Sequence, residues 1–352
     1  MQAFTYVGLP ARVTFGLGAL EQLGREIELL GARRALVLST PEQQAQADEV
    51  AHRLGERCAG VFPQAVMHVP LETARAARAE AARLGADCAV AIGGGSTTGL
   101  GKAIALESAL PILAIPTTYA GSEMTPIYGI TEGGLKRTGR DPRVLPKAVI
   151  YDPALTVGLP VALSVASGMN ALAHAVEGLY AQDANPIMSM LAEEGIRAFA
   201  GGLPRVRRNP GDLAARADCL YGAWLCGAVL GAVGMALHHK LCHTLGGTWN
   251  LPHAATHTVV LPHAVAYNAA AAPAAMARAA RALGAANAAH GLYDLGRALG
   301  APAGLKDLGM PAADLDRAAE LATTAPYWNP RPIERSAIRK LLDDAYFGRR
   351  PA

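Results

Sequence analysis

Short runs that are apolar on both faces alternate with alanine-rich stretches through the first half of the chain. This alternation constrains the fold more than any other feature. Ala35-Leu36-Val37-Leu38-Ser39 follows two arginines, Cys88-Ala89-Val90-Ala91-Ile92 runs into three glycines, Ile112-Leu113-Ala114-Ile115 ends at Pro116-Thr117-Thr118, and Ala148-Val149-Ile150-Tyr151 ends at Asp152-Pro153. Such runs suit strands of a parallel sheet covered on both sides. Leu71 to Leu84 and Thr97 to Leu106 lie between them and read as helices. The alternation predicts a doubly wound, mostly parallel α/β sheet. After Leu159-Pro160 the pattern becomes all-helical. Breaks are expected at Asn185-Pro186, Asn209-Pro210, Leu251-Pro252, Leu261-Pro262 and Asn329-Pro330, and Ala269 to Ala289 reads as helix. The expected division is an α/β domain over 1–158 and an all-helical domain over 159–352.

Composition narrows the function classes. The 352 residues are 51% hydrophobic and 17% charged, enough apolar content for a sizeable core in each half. A net charge of +3 with no long basic run argues against nucleic acid as a partner. No apolar run reaches the ~18 residues of a membrane span. Leu220 to Leu237 comes closest, and its glycines and following histidines suit a buried helix, so no membrane is expected. No signal peptide is visible at the start. Cys58, Cys88, Cys219, Cys226 and Cys242 are odd in number and lack CxxC spacing, which fits a reducing cytoplasm.

Gly93-Gly94-Gly95-Ser96 and Thr97 stand where a strand passes into a helix. Glycine permits a tight turn and close approach of a ligand, and the helix start offers free N–H groups to a pyrophosphate. Thr117, Thr118 and Tyr119 follow the next strand, at the carboxyl end where such sheets bind ligands. No GxGxxG accompanies the first strand. Ser39 and Thr40 stand where an acid would otherwise hold ribose hydroxyls, so NADPH is expected to be accepted as well as NADH.

Six of the ten histidines fall between His238 and His263. His239 and His243 share a helix face by their i, i+4 spacing, as do His253 and His257, and Asn170 and His174. A carboxylate with three histidines at such positions would hold a divalent metal. Here Asn170, a neutral and poor ligand, stands in the carboxylate position. So dense a cluster in an apolar helical domain needs partners for its ring nitrogens, and a site supplies them.

Taken together these segments resemble the iron-type (group III) alcohol dehydrogenase superfamily, whose fold is dehydroquinate synthase-like, and within it the maleylacetate reductase branch. The resemblance spans nearly the whole chain: Phe15-Gly16, Gly93 to Lys102, Pro116 to Glu123, Asp152-Pro153, Asn170 to Glu177, His239 to Gly246 and Pro252 to Asn268. The family loop GGGSxxDxxK carries Gly99 in place of its aspartate and keeps Lys102. The first ligand position holds Asn170, leaving Asn170, His174, His239 and His253 as a degenerate metal site. The runs Pro116 to Pro126 and Tyr327-Trp328-Asn329-Pro330-Arg331-Pro332 resemble the branch, and Lys136 occupies the position of a lysine near the nicotinamide nucleotide.

The resemblance implies reduction of the carbon–carbon double bond of 2-maleylacetate to 3-oxoadipate with NADH or NADPH, within aromatic and chloroaromatic catabolism, by a homodimer with no essential metal. The dinucleotide is expected in the crevice between the halves, its nicotinamide facing the imidazoles. His243 and His253 are expected to stabilise the developing enolate, with His174 and His239 shaping the pocket. Tyr327 or one of the histidines would supply the proton, and Arg331 would pair with a carboxylate of the dicarboxylate substrate. The alternatives are a metal-dependent alcohol or aldehyde dehydrogenase of the same fold, a lyase resembling dehydroquinate synthase, and a nucleotide sensor without turnover.

Overall fold

A computed structural model describes residues 4, 6, 8, 9, 12–133, 135–324 and 327–352, excepting the side chain of Lys136. The chain divides into two compact units, one of Gly8–Leu159 and one built on Pro160–Ala352.

The first unit contains strands β1 (Arg12–Phe15), β2 (Ala35–Leu38), β3 (Cys58–Phe62), β4 (Cys88–Gly93), β5 (Ile112–Pro116), β6 (Ile127–Glu132), β7 (Leu135–Arg140) and β8 (Ala148–Tyr151). Helices α1 (Leu23–Leu29), α2 (Gln44–Leu54), α3 (Leu71–Arg83) and α4 (Gly95–Ser108) connect them. Six strands form a parallel sheet in the order β1-β8-β5-β4-β2-β3, and β6 pairs with β7 in an antiparallel hairpin. The two-faced apolar runs are explained by the packing. Val37, Val90, Ile92, Leu113 and Ile115 join Leu23, Ile27 and Val50 on one face, while Leu36, Leu38 and Ala89 join Ala74, Ala77, Leu100 and Ile104 on the other. The strands absent from the sequence reading are those that lack this signature. β1 is a half-exposed edge, β3 carries Gly60 among half-buried residues, and the β6–β7 hairpin is half-exposed along β6. The chain leaves β2 toward β3 but leaves β4 toward β5 and β8, so the direction of winding reverses between β2 and β4.

The second unit is helical throughout its described residues: α5 (Val161–Leu179), α6 (Pro186–Arg208), α7 (Leu213–Ala232), α8 (Leu237–Trp249), α9 (His253–Asn268), α10 (Pro273–Leu283), α11 (Ala288–Ala298), α12 (Leu315–Thr324) and α13 (Arg335–Phe347). Leu237, Leu241 and Leu245 of α8 pack with Val260 and Ala264 of α9, Ala319 of α12 and Ile338 and Leu342 of α13. Three expectations need correction. Pro262 does not break a helix but lies inside α9, a largely buried helix whose packing outweighs the lost N–H bond. Ala269 to Ala289 is not one helix, because Gly284 at φ +67° ends α10 and Asn287 Oδ1 caps the N–H of His290 to open α11. Among the described residues the helix long and apolar enough to cross a membrane by length and composition is α7, 20 residues, rather than Leu220 to Leu237. It is packed against α5 and α6 inside the unit.

Candidate active site

In the first unit the candidate residues gather at the carboxyl ends of β2, β4 and β5, where a reversal of winding opens a crevice. Gly93 closes β4 with φ +149°. A methyl group there would collide with Thr97 Oγ1 and come within 2.8 Å of Gln43 Oε1. Gly94 caps α4 without a side-chain partner, and a methyl there would meet Thr118 at 2.9 Å. Gly95 and Ser96 begin α4, whose first N–H groups are presented to an anion. Thr117 and Tyr119 are buried, and Gln43 Nε2 donates to Thr117 Oγ1 at 2.8 Å. The buried hydroxyls of Ser39 and Thr97 have no partner among the described residues, which leaves two polar groups for a ligand to satisfy. Thr40 bonds the exposed carboxylate of Glu42; that contact, with the backbone N–H of Glu42, holds the carboxyl below its usual range. The Lys136 side chain lies outside the described residues.

Lys102 is fully buried. Its ammonium donates to the carbonyls of Ser122 (2.7 Å), Thr125 (2.8 Å) and Ile127 (2.7 Å) and to Thr125 Oγ1 (2.9 Å). Burial pushes its pKa down to about 7, opposed by the Glu123 carboxylate. Its position is structural, clamping the turn that follows β5 onto α4.

In the second unit, Asn170, His174 and Glu177 lie on one face of α5, successive turns apart. His174 and Glu177 meet a cluster formed by His238, His239 and His243 of α8 and His253 and His257 of α9. Ring centroids stand 5.2 Å apart for His174–His239, 5.0 Å for His239–His257, 4.3 Å for His253–His257 and 6.3 Å for the nearly parallel His243–His253 pair. His174, His238, His239 and His257 are buried, whereas His243 and His253 are exposed. Asn170 Oδ1, His174 Nδ1, His239 Nε2 and both ring nitrogens of His257 are buried without a partner among the described residues. Burial, reinforced by the neighbouring imidazoles, drives the pKa values of His174, His239 and His257 well below the usual histidine range. His238 falls to about 3 for the same reasons.

The Tyr327 hydroxyl is also buried without a partner among the described residues, and Lys240 Nζ stands 5.6 Å over its ring. Burial, with Tyr267 and Glu177 nearby, pushes the phenol pKa up, so it stays an O–H donor at neutral pH. Arg331 stacks on Tyr267 at 4.1 Å and donates to the Tyr267 carbonyl at 3.2 Å. Its segment is latched to the end of α9 by a reciprocal amide pair between Asn268 and Asn329. A separate cavity of about 310 Å³, lined by Val161, Val165, Arg207, Thr258, Leu299 and Pro302, contains none of the histidines.

Sequence reading missed Glu177, His238 and Lys240 and gave His257 no role. Glu177 accepts from the backbone N–H groups of Ala236 (3.0 Å), His238 (2.8 Å) and His239 (3.4 Å), and from His239 Nδ1 at 2.6 Å. It thereby caps α8 from a different helix. The available signal was a lone acid in an otherwise apolar helix, one turn beyond His174. His238 Nε2 faces the His257 carbonyl at 3.1 Å and His238 Nδ1 faces His239 Nδ1 at 3.4 Å. Both its nitrogens are engaged, although it stands with His239 and His257 in a grouping compact enough for a metal.

Comparison with known proteins finds relatives over both units of the chain. Residues 10–153 match the family of iron-containing alcohol dehydrogenases, and residues 164–346 match the C-terminal part of the same family. Maleylacetate reductase of Burkholderia cepacia is 65% identical over 352 residues, covering 100% of both chains. Maleylacetate reductase of Delftia acidovorans is 58% identical over 348 residues, 99% of each chain. The crystal structure of maleylacetate reductase from Agrobacterium tumefaciens superposes with a TM-score of 0.98 at 57% identity, covering 100% of both chains.

Proposed function

The chain belongs to the iron-containing alcohol dehydrogenase family, and on that premise we propose that it reduces the carbon–carbon double bond of maleylacetate to give 3-oxoadipate. The observation that carries this reading is identity of 52–65% with maleylacetate reductases over essentially the whole chain. The chain is an enzyme of the reductase class, and the remaining assignments are our own.

The α/β unit holds NADH or NADPH, with the pyrophosphate on Gly93 to Thr97 and the start of α4. Ser39, Thr40, Thr117, Thr118, Tyr119 and Lys136 surround the rest of the dinucleotide. Hydride adds to the alkene carbon β to the ketone. The electron pair of the double bond moves toward the ketone oxygen as an enolate, and a proton is then taken up at the carbon next to the ketone. Groups that donate to the oxygen as its charge grows lower the barrier. His243 and His253 stand on the exposed side of the imidazole cluster, where an entering substrate meets them. The unpartnered Tyr327 hydroxyl is the third donor and the candidate for the final proton. The substrate is a dicarboxylate. Arg331 and Lys240 supply cations for its ends, and α9 opens at His253 without a side-chain cap to compete. His174 and His239 shape the pocket.

The residues present do not fit a resident iron(II). Iron sites of this kind take imidazoles with an anionic carboxylate. Here the ligand position holds the neutral Asn170, and the carboxylate of Glu177 is committed to N–H donors. The buried atoms without partners call for hydrogen-bond donors and water rather than for an uncompensated dication. Our reading therefore has no essential metal. It also places the enzyme in the cytoplasm as a homodimer, the location being supported by five free thiols.

The test is spectrophotometric. Freshly prepared maleylacetate should oxidise NADH or NADPH one for one, with 3-oxoadipate as the product. Turnover of simple alcohols that depends on added iron or zinc, with none on maleylacetate, would establish the alternative dehydrogenase.

A further inference from the structure

The buried carboxylate of Glu177 has a consequence for the imidazole beside it. All of its close partners are donors: the main-chain N–H groups of Ala236, His238 and His239, His239 Nδ1 at 2.6 Å and the Tyr180 hydroxyl at 3.4 Å. The carboxylate is 0% exposed and is held by the start of α8, so it cannot swing aside. A second constraint agrees from an unrelated atom. The carbonyl of His257 can only accept, so His238 Nε2, 3.1 Å away, carries the hydrogen and His238 Nδ1 carries a lone pair. That lone pair faces His239 Nδ1 at 3.4 Å. Both neighbours of His239 Nδ1 are therefore acceptors.

We propose that Glu177 is a positioning residue that holds His239 in the Nδ1–H tautomer and turns its Nε2 lone pair into the active-site cluster as an acceptor. His239 Nε2 is buried and meets no partner among the described residues, so it is free to orient a hydrogen carried by water or by the group that supplies the proton. The geometry removes His239 from the candidates for donating to the enolate oxygen and leaves His243, His253 and Tyr327. A carboxylate that orients a working imidazole from behind sets both tautomer and ring direction, and removing such a partner lowers activity by about 10–100-fold. The inference rests on the reductase reading for its kinetic consequence, but not for the tautomer.

The experiment is ¹⁵N NMR of the histidine side chains in the full-length enzyme, with the His239 resonances assigned by their loss in His239→Gln. Wild-type enzyme should show a protonated Nδ1 and an unprotonated Nε2 on His239. Glu177→Gln should lower kcat about 10–100-fold, leave the KM for maleylacetate and the NADH dissociation constant nearly unchanged, and shift the His239 tautomer. A hydrogen on Nε2 in the wild-type spectrum overturns the proposal. So does a Glu177→Gln enzyme whose His239 tautomer is unchanged, whatever its rate. Should that variant fail to fold, the wild-type spectrum decides alone. Failure of the wild-type enzyme to consume NADH with maleylacetate would sink the reductase reading and leave the tautomer result standing.

Discussion

At the scale of single residues, Gly93 and the two exposed histidines separate binding from chemistry. A side chain at Gly93 meets two obstacles, a φ of +149° and the atoms of Thr97 and Gln43. Gly93→Ala should destabilise the protein by about 1–3 kcal/mol and weaken NADH binding at least about tenfold by distorting the first turn of α4. Thermal melts and fluorescence titration would register both, and unchanged NADH affinity would remove the loop from the dinucleotide site. His243→Ala or His253→Ala should instead leave NADH affinity intact and lower kcat by roughly 10²–10³-fold, the usual loss of one donor to a developing oxyanion. Stopped-flow measurement of the hydride step separates these effects, and full turnover in either variant would take that residue out of the mechanism. The glycine run and the histidine spacings were legible in the sequence because each is local along the chain. Glu177 was not, because its meaning depends on residues about 60 positions later. Neither was the contrast between buried His257 and exposed His253, since spacing along a helix does not report which end of a face is covered.

At the scale of elements, β2, β4, β5 and β8 were legible because strands covered on both sides need apolar residues at every position. Edge strand β1 and the β6–β7 hairpin carry no such requirement, so the pattern is silent there. Helix α9 shows the opposite lesson, for Pro262 signals a break that packing overrides. The next residue, His263, is 4% exposed, and burial lowers its pKa to about 4 against the opposing pull of Asp344. The unfolded chain, with an ordinary histidine pKa near 6.5, then binds a proton that the folded α9 refuses. Below pH 6.5 the unfolded state takes up more protons, so stability is complete above that pH and is lost as pH falls through about 4. The full loss from this one group is roughly 3 kcal/mol. His263→Gln should flatten the decline in Tm between pH 6.5 and pH 4 relative to wild type. Calorimetry across that window checks it, and parallel pH profiles would show that His263 is protonated in the folded state.

At the scale of the whole molecule, our reading without an essential metal rests on the distribution of charge in the imidazole cluster. The imidazole cluster contains four buried histidines whose pKa values are lowered, a neutral amide at Asn170, and one buried carboxylate already saturated by donors. A dication placed among these groups would lose its hydration and gain imidazole nitrogens but no anionic ligand, so iron(II) would be held more weakly than beside a carboxylate. The same neutrality suits a dicarboxylate that carries its own negative charge and needs donors for one developing oxygen. Exhaustive chelation followed by gel filtration should therefore leave maleylacetate reduction within about twofold of the untreated rate, with no stoichiometric metal by elemental analysis. The converse substitution completes the argument. Asn170→Asp restores a carboxylate one turn before His174 and should create affinity for a divalent ion. At ion concentrations about a hundredfold above its dissociation constant, binding contributes about 2.7 kcal/mol, enough to raise Tm by roughly 5 °C. Wild-type protein should show no such shift. If the wild-type enzyme holds one equivalent of metal and loses turnover when it is stripped, the charge argument fails and the family's metal chemistry operates here too. If Asn170→Asp gains the thermal shift while its rate on maleylacetate falls, the neutral amide is what keeps the cluster free for the enolate.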